Sequence, residues 1–289
     1  AKCVPTILLT TSSPELVALG SQLVARGHDV LPIVWDAPEY LTANLRLGRA
    51  ATVRVEREFS VLMKGVRAAA VVSDEMKARY EERYGMPCHI IRHGTAAVRR
   101  AERIRADDAI RIVFAGSLYS KQEWNAFVAA LELAGWRLAG RDVRLIFIGN
   151  FPLAGATRPD RVECMPAVSH ERALELMAEM DIGYLPYWFD AVHESVVRSS
   201  FPGKMTAYAA AGLAVFPHGP DYSTVTKFLS KYPFGVSCDK LNPEMIKLKL
   251  EKITLDFDSK EYDQAREGAM KNELSDSAMI DAFRKFIKY

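Results

Sequence analysis

The sequence is poor in cysteine, and the four it has, Cys3, Cys88, Cys164 and Cys238, lie far apart with no Cys-x-x-Cys pair. That spacing argues against a zinc site or a disulfide framework and fits a reducing, cytosolic compartment. No apolar run is long enough to span a membrane, and the N-terminus carries no signal-peptide pattern. An excess of one charge is missing too. Lys and Arg number 38 against 36 Asp and Glu, and a balance of +2 lacks the dense basic face that a nucleic-acid partner calls for. There is no Gly-x-Gly-x-x-Gly, no Gly-x-x-x-x-Gly-Lys-Ser/Thr and no Gly-x-Ser-x-Gly. Dinucleotide dehydrogenases, P-loop NTPases and α/β-hydrolases thereby lose their main support. Repeats at solenoid spacing and low-complexity tracts are also absent. The chain does not open on Met, and its first strand-like run starts close to Ala1, so residues upstream are expected to be missing.

What is present is alternation. With 289 residues there is room for two domains. Strand-like runs at 6–10, 30–35, 69–72 and 88–92 alternate with helical stretches, Ser13-Pro14-Glu15 opening the first helix and Ser73-Asp-Glu a later one. Residues 95–108 have no strand signal and read as a linker. Alternation then resumes with strands at 110–115, 143–148, 161–164, 181–185, 214–217 and 234–238, and helices at 122–134, 169–179, 205–211 and 224–230. Such a pattern predicts an α/β fold of two Rossmann-like domains facing a cleft, with ligands at the carboxyl ends of the strands. The expected divisions are 1–95 for the first domain, 109–240 for the second and 241–289 for a helical tail.

Five stretches can carry chemistry. In Phe114-Ala-Gly-Ser-Leu-Tyr-Ser-Lys121, Gly116 lets a ligand near the backbone, Ser117 offers an N–H and a hydroxyl, and Lys121 supplies a point charge. Read by itself this is an ordinary strand-to-helix turn with a solvated lysine. Phe201-Pro202-Gly203-Lys204 precedes a small-residue helix from Met205, with Tyr208 within it. The helix's unpaired N–H groups beside Lys204 suit a phosphate, although such a helix is equally a tight packer on a sheet. Tyr187-Trp-Phe-Asp-Ala-Val-His193-Glu194 follows a strand end. Its aromatics read as wall, and His193 and Glu194 read as either sugar contacts or solvated residues. Asp36, after the strand at 30–35, either orients an acceptor hydroxyl or merely caps a turn. His93, in Ile90-Ile-Arg-His-Gly94, reads as structural. Arg46, Arg49, Arg54, Arg57, Lys64 and Arg67 form a basic helical face, which is either solvated or suited to peripheral contact with an anionic membrane.

The order of these stretches resembles the family 4-type glycosyltransferases. Their phosphate-facing loop and helix precede an Ala-Gly-x-Pro-Val-like turn, matched here by Ala211-Gly-Leu-Ala-Val215, and their Gly-x-x-x-x-Lys-like stretch is matched by Gly116 and Lys121. The resemblance covers 110–238 best and 6–94 less well. It implies a GT-B-like fold whose first domain lacks its opening βα units. It also implies a metal-independent, hexosyltransferase-type enzyme with no cofactor, moving a sugar with retention from a nucleotide sugar to an unknown sugar or lipid-linked acceptor in glycan or glycoconjugate synthesis. On that resemblance Asp36, Lys121 and Lys204 are the catalytic candidates. The donor would be held by Gly116, Ser117, Lys121, His193, Glu194, Phe201, Pro202, Gly203, Lys204 and Tyr208. Two departures stand out. Trp35 replaces a histidine of the family, and Ala207 stands where an acid often holds the ribose. A sugar-nucleotide epimerase of the same architecture and a catalytically silent partner subunit are the alternatives.

Overall fold

The computed structural model describes residues 5–98, 107–149 and 159–289. By its internal packing the chain divides into two compact units, residues 1–92 with 192–201 and 277–289, and residues 93–191 with 202–276. The expected tail, 241–289, is thus shared between the units. The expected linker, 95–108, falls in part on residues 99–106, outside the described residues.

The first unit is built on β1 (Ile7–Thr10), α1 (Pro14–Ala25), β2 (Val30–Val34), α2 (Pro38–Asn44), α3 (Arg49–Gly65), β3 (Ala69–Val71), α4 (Asp74–Tyr84) and β4 (Cys88–Ile90). Its strands pair in parallel in the order β1-β2-β3-β4. Every residue of β2 is buried, as a parallel strand covered on both faces requires. Ser13 and Ser73 cap α1 and α4, their hydroxyls accepting from the Leu16 and Met76 N–H groups. The expected basic helical face is carried by α3 alone, since Arg46 (φ +52°) and Arg67 lie outside the helices. In α3, Val55, Phe59, Leu62 and Met63 turn inward while Arg49, Arg54, Arg57 and Lys64 stay exposed.

The second unit holds β5 (Ile110–Ala115), α5 (Lys121–Leu133), β6 (Arg137–Leu138), β7 (Arg141–Ile148), β8 (Val162–Met165), α6 (His170–Ala178) and β9 (Ile182–Pro186). After α7 (Glu194–Ser199), which belongs to the first unit, come α8 (Gly203–Ala210), β10 (Ala214–His218), α9 (Thr224–Lys231), α10 (Pro243–Asp256) and α11 (Lys260–Ala269). A π-helical turn, Met270–Leu274, leads to α12 (Asp276–Phe286), which returns Phe286 to the first unit's core beside Leu31, Ile33 and Ala70.

The second sheet runs β10-β9-β5-β7, with β8 and the antiparallel β6 both on β7. Its core packs Phe114, Phe127, Phe147, Tyr184 and Phe216, with the rings of Phe127 and Tyr184 stacked at 3.9 Å. Ile246, Leu250, Ile253 and Phe257 of α10 join this core, so α10 completes the domain rather than trailing from it.

Two local expectations change. Residues 234–238 are not a strand, because only Gly235 and Cys238 reach bridging positions on β10 and no ladder forms between them. Helix α8 starts at Gly203, which puts Lys204 in its first turn and not in the loop before it.

Candidate functional site

The sheet order of the second unit reverses at β5, which has β9 on one side and β7 on the other. A reversal of this kind opens a crevice at the carboxyl ends of the strands. A cavity of about 540 Å³ lies there, and all of its lining comes from the second unit.

Two glycines shape its floor. Gly116 (φ +97°) follows β5 and donates its N–H to the Ile148 carbonyl, 2.8 Å away. Gly149 (φ +147°) follows β7 and donates to the Met165 carbonyl at 3.0 Å. A β-carbon on Gly149 would stand 2.6 Å from the Gly116 carbonyl oxygen, so the two strand ends approach this closely only without side chains.

One wall is α8, which contributes Gly203, Lys204, Thr206 and Ala207. Its N-cap, Pro202, makes no side-chain hydrogen bond. The Lys204 ammonium lies 5.2 Å from the Phe114 ring centroid and 4.9 Å from that of Tyr119. It is 3.5 Å from where a β-carbon on Gly116 would stand. Among the described residues no carboxylate pairs with it, and burial pushes its pKa down to about 8. Thr206 is buried, and its hydroxyl finds no hydrogen-bond partner among the described residues.

Another part of the lining is α6, whose N-cap Ser169 accepts from the Arg172 N–H. His170, the first helical residue, places its Nε2 3.4 Å from the Thr95 hydroxyl. The described lining holds one lysine and two histidines, His93 and His170, and no acid. An uncompensated cation at a helix N-terminus on a cavity wall can hold an anion, and phosphate is the anion such ends bind most readily.

Comparison with known proteins gives the fold. No family model matches the sequence, and no curated protein sequence matches it. Among solved structures, sucrose-phosphate synthase from Thermosynechococcus elongatus superposes at a TM-score of 0.69 and 12% identity, over 98% of this chain and 73% of the other. Anabaena HepE in complex with UDP and glucose gives 0.66 and 12%, over 98% and 78%. A glycosyltransferase from Rickettsia africae gives 0.57 and 12%, over 98% of each chain. The fold is of the GT-B type.

Within this GT-B chain the expected site residues separate. Gly116, Gly203 and Lys204 meet at the cavity. Pro202 caps the helix that carries Lys204. Ser117 is exposed beside Gly116, and Lys121 is exposed at the first residue of α5; neither belongs to the lining. Among the described residues the cavity therefore has one lysine where two were expected to converge. Tyr208 corrects an expectation. It is fully buried, its hydroxyl accepting from the Ala115 N–H (3.2 Å) and donating to the Tyr184 carbonyl (3.0 Å), and its ring fills the space that Gly183 leaves. A side chain committed on both sides has nothing left for a donor.

His193, Glu194 and Phe201 belong to the first unit, as does Asp36. There the Glu194 carboxylate pairs with Arg198 at 2.8 Å, and the Phe201 ring lies 4.7 Å under the Arg92 guanidinium. Asp36 is half-buried after β2 and does not cap α2, whose N-cap is Ala37. Burial, together with the Asp36 charge, raises the Tyr40 hydroxyl pKa.

Sequence reasoning gave no role to Tyr119, Glu123 or His170. Tyr119 sits inside the quoted Gly-x-x-x-x-Lys stretch, so an aromatic three residues past the glycine was the available signal. No local signal marks Glu123, a buried carboxylate on α5 that accepts the Phe189 N–H at 2.9 Å. Metal chemistry finds no cluster of His, Cys, Asp or Glu among the described residues. The single Asp-x-Asp of the chain, Asp256-Phe-Asp258, closes α10 outside the cavity lining, with Phe257 in the core. Among the described residues no helix is long and apolar enough to cross a membrane.

Proposed function

We propose that the protein is a glycosyltransferase whose second unit holds the diphosphate of a nucleotide-sugar donor in the cavity below α8. One observation carries the reading: Lys204 faces the cavity from the first turn of a helix with no carboxylate against it among the described residues. The fold it shares with HepE, whose structure contains UDP and glucose, supports the same reading. Lys204 neutralises charge that accumulates on the leaving diphosphate, which is the largest electrostatic demand of sugar transfer from such a donor. The reaction proceeds with retention and without a metal, the helix N-terminus and Lys204 supplying the positive field. Asp36 orients the acceptor hydroxyl, and the acceptor is a sugar or a lipid-linked glycan. Contact of the basic α3 face with an anionic membrane is part of the same reading, in a cytoplasmic enzyme of glycan synthesis.

Ala207 favours one second reading. It lines the cavity with a methyl group and leaves the wall without an acid, which suits a catalytically silent partner that binds a nucleotide and does not turn it over. An epimerase is disfavoured by the same lining, which among the described residues offers no carboxylate for proton abstraction.

The test is a panel of nucleoside mono- and diphosphates scored by thermal stabilisation, followed by donor hydrolysis. At ~100 times its dissociation constant the fitting diphosphate adds about 2.7 kcal/mol of stability. Equal and negligible shifts for every nucleotide would remove the reading. Binding without hydrolysis or transfer would select the silent partner.

A further inference from the structure

We propose that Tyr119 is a positioning residue for Lys204: its ring, with that of Phe114, presents the ammonium to the diphosphate of a bound nucleotide. The inference rests on the function proposed above and adds the group that fixes its cation.

A lysine side chain has four rotatable bonds, and ordering it on binding an anion uses up part of the affinity gained. Here it is ordered beforehand. Ring centroids at 4.9 Å (Tyr119) and 5.2 Å (Phe114) lie within the about 6 Å over which an aromatic face attracts a cation. Gly116 borders the same slot, the place where its β-carbon would stand lying 3.4 Å from the lysine Cε. The choice of ring over carboxylate matters. A carboxylate would fix the ammonium equally well but would compete with phosphate for it, whereas an aromatic face leaves the charge uncompensated.

Tyr119 is itself held in place. Its hydroxyl donates to the Pro186 carbonyl at 3.1 Å, and its ring packs on Trp188 at 4.5 Å between centroids. The loop after β9 that carries Trp188 is pinned by the Phe189 N–H on the buried Glu123 carboxylate. Helix α5 thus holds the loop, the loop holds Tyr119, and Tyr119 holds Lys204. The depressed pKa of the amine agrees with an apolar slot around it.

Calorimetry with UDP as the probe, and GDP as a second, tests this on the unchanged protein, Tyr119→Phe and Tyr119→Leu at pH 7.5 and 9. Tyr119→Phe keeps the ring and is expected to bind within about twofold of the unchanged protein. Tyr119→Leu is expected to bind about fivefold more weakly. Its loss of affinity on going to pH 9 should also shrink, because an amine released to water regains an ordinary lysine pKa. Tyr119→Met, with apolar bulk and no ring, is read in the same way and covers a failure of the leucine variant to fold. A merely structural tyrosine would lower the melting temperature in these variants without moving the pH dependence. Equal binding by the unchanged protein and the ringless variants would overturn this inference alone. So would a phenylalanine variant as weak as the leucine one. Absence of nucleotide binding by the unchanged protein would overturn the proposed function together with it.

Discussion

Raising the pH through 8 should weaken anion binding by this protein, and Lys204→Ala should abolish that dependence. The perturbation follows from burial, which pushes the Lys204 amine down to about 8 from an ordinary 10.5. Below 8 the amine is charged and ready for a diphosphate. Above it the free protein carries a neutral amine, and binding must first recover a proton. A bound diphosphate raises the pKa again, so the dissociation constant should rise as pH passes the free value. At pH 9 that is about tenfold weaker than at pH 7, against a change of only a few per cent for a lysine at its ordinary pKa. The phosphate oxygens are already ionised above pH 7, with a second pKa near ~6. Any titration of the base is common to both proteins and cancels in the comparison. Calorimetric titration of UDP at half-unit steps from pH 7 to 9, on the unchanged protein and on Lys204→Ala, reads the effect. The alanine variant should also bind at least about tenfold more weakly at pH 7, since a charge-assisted hydrogen bond contributes roughly 1.5–3 kcal/mol. A flat profile in the unchanged protein, or the same slope in both, would refute the argument that Lys204 is the group the anion meets.

Gly116→Ala should lose both stability and nucleotide affinity, because alanine is strained at φ +97° and its methyl would occupy space beside the Lys204 ammonium; an unfolding free energy lower by about 1–3 kcal/mol in urea titration together with weakened UDP binding is the expected pair of results. His218 should impose an acid limit. Burial holds its pKa down at about 4 against 6.5 in the unfolded chain, so its contribution is intact above pH 6.5 and is lost as the pH falls toward 4. About 3 kcal/mol should disappear across that window, and His218→Gln should flatten it; urea midpoints at pH 7 and 4.5 decide, an unchanged slope in the variant counting against His218.

The alternation of buried strands and capped helices is written locally, and so is legible in the sequence. Ser13, Ser73 and Ser169 each accept the N–H three residues on, as residues of that type at a helix start do. Continuous apolar runs such as Val30–Val34 announce a strand covered on both faces. Gly116 and Lys204 could be picked out for the same reason, since a glycine at a strand end and a lysine at a helix start carry their chemistry in their own residue types. The extent of pairing could not be read. Residues 234–238 have strand composition, yet they meet β10 only at two isolated bridges, and that depends on where the rest of the sheet lies.

Tertiary structure decided the rest of the site. Tyr208 and Tyr119 are the same residue type near the same lysine, but one faces Gly183 inside the core and the other lies against the Lys204 ammonium. Residue type and local sequence alone do not say which. Lys121 and Lys204 looked equivalent in sequence, and the fold leaves the first exposed and places the second on the cavity wall. Glu123, Phe189, Trp188 and Tyr119 act together although 70 residues separate the ends of that set, because β9 ends beside the start of α5. Local sequence determines which segments are helix or strand through short-range hydrogen bonds and side-chain periodicity. Which polar groups are left facing one another across a cavity is fixed only when distant segments are brought together and water is excluded between them.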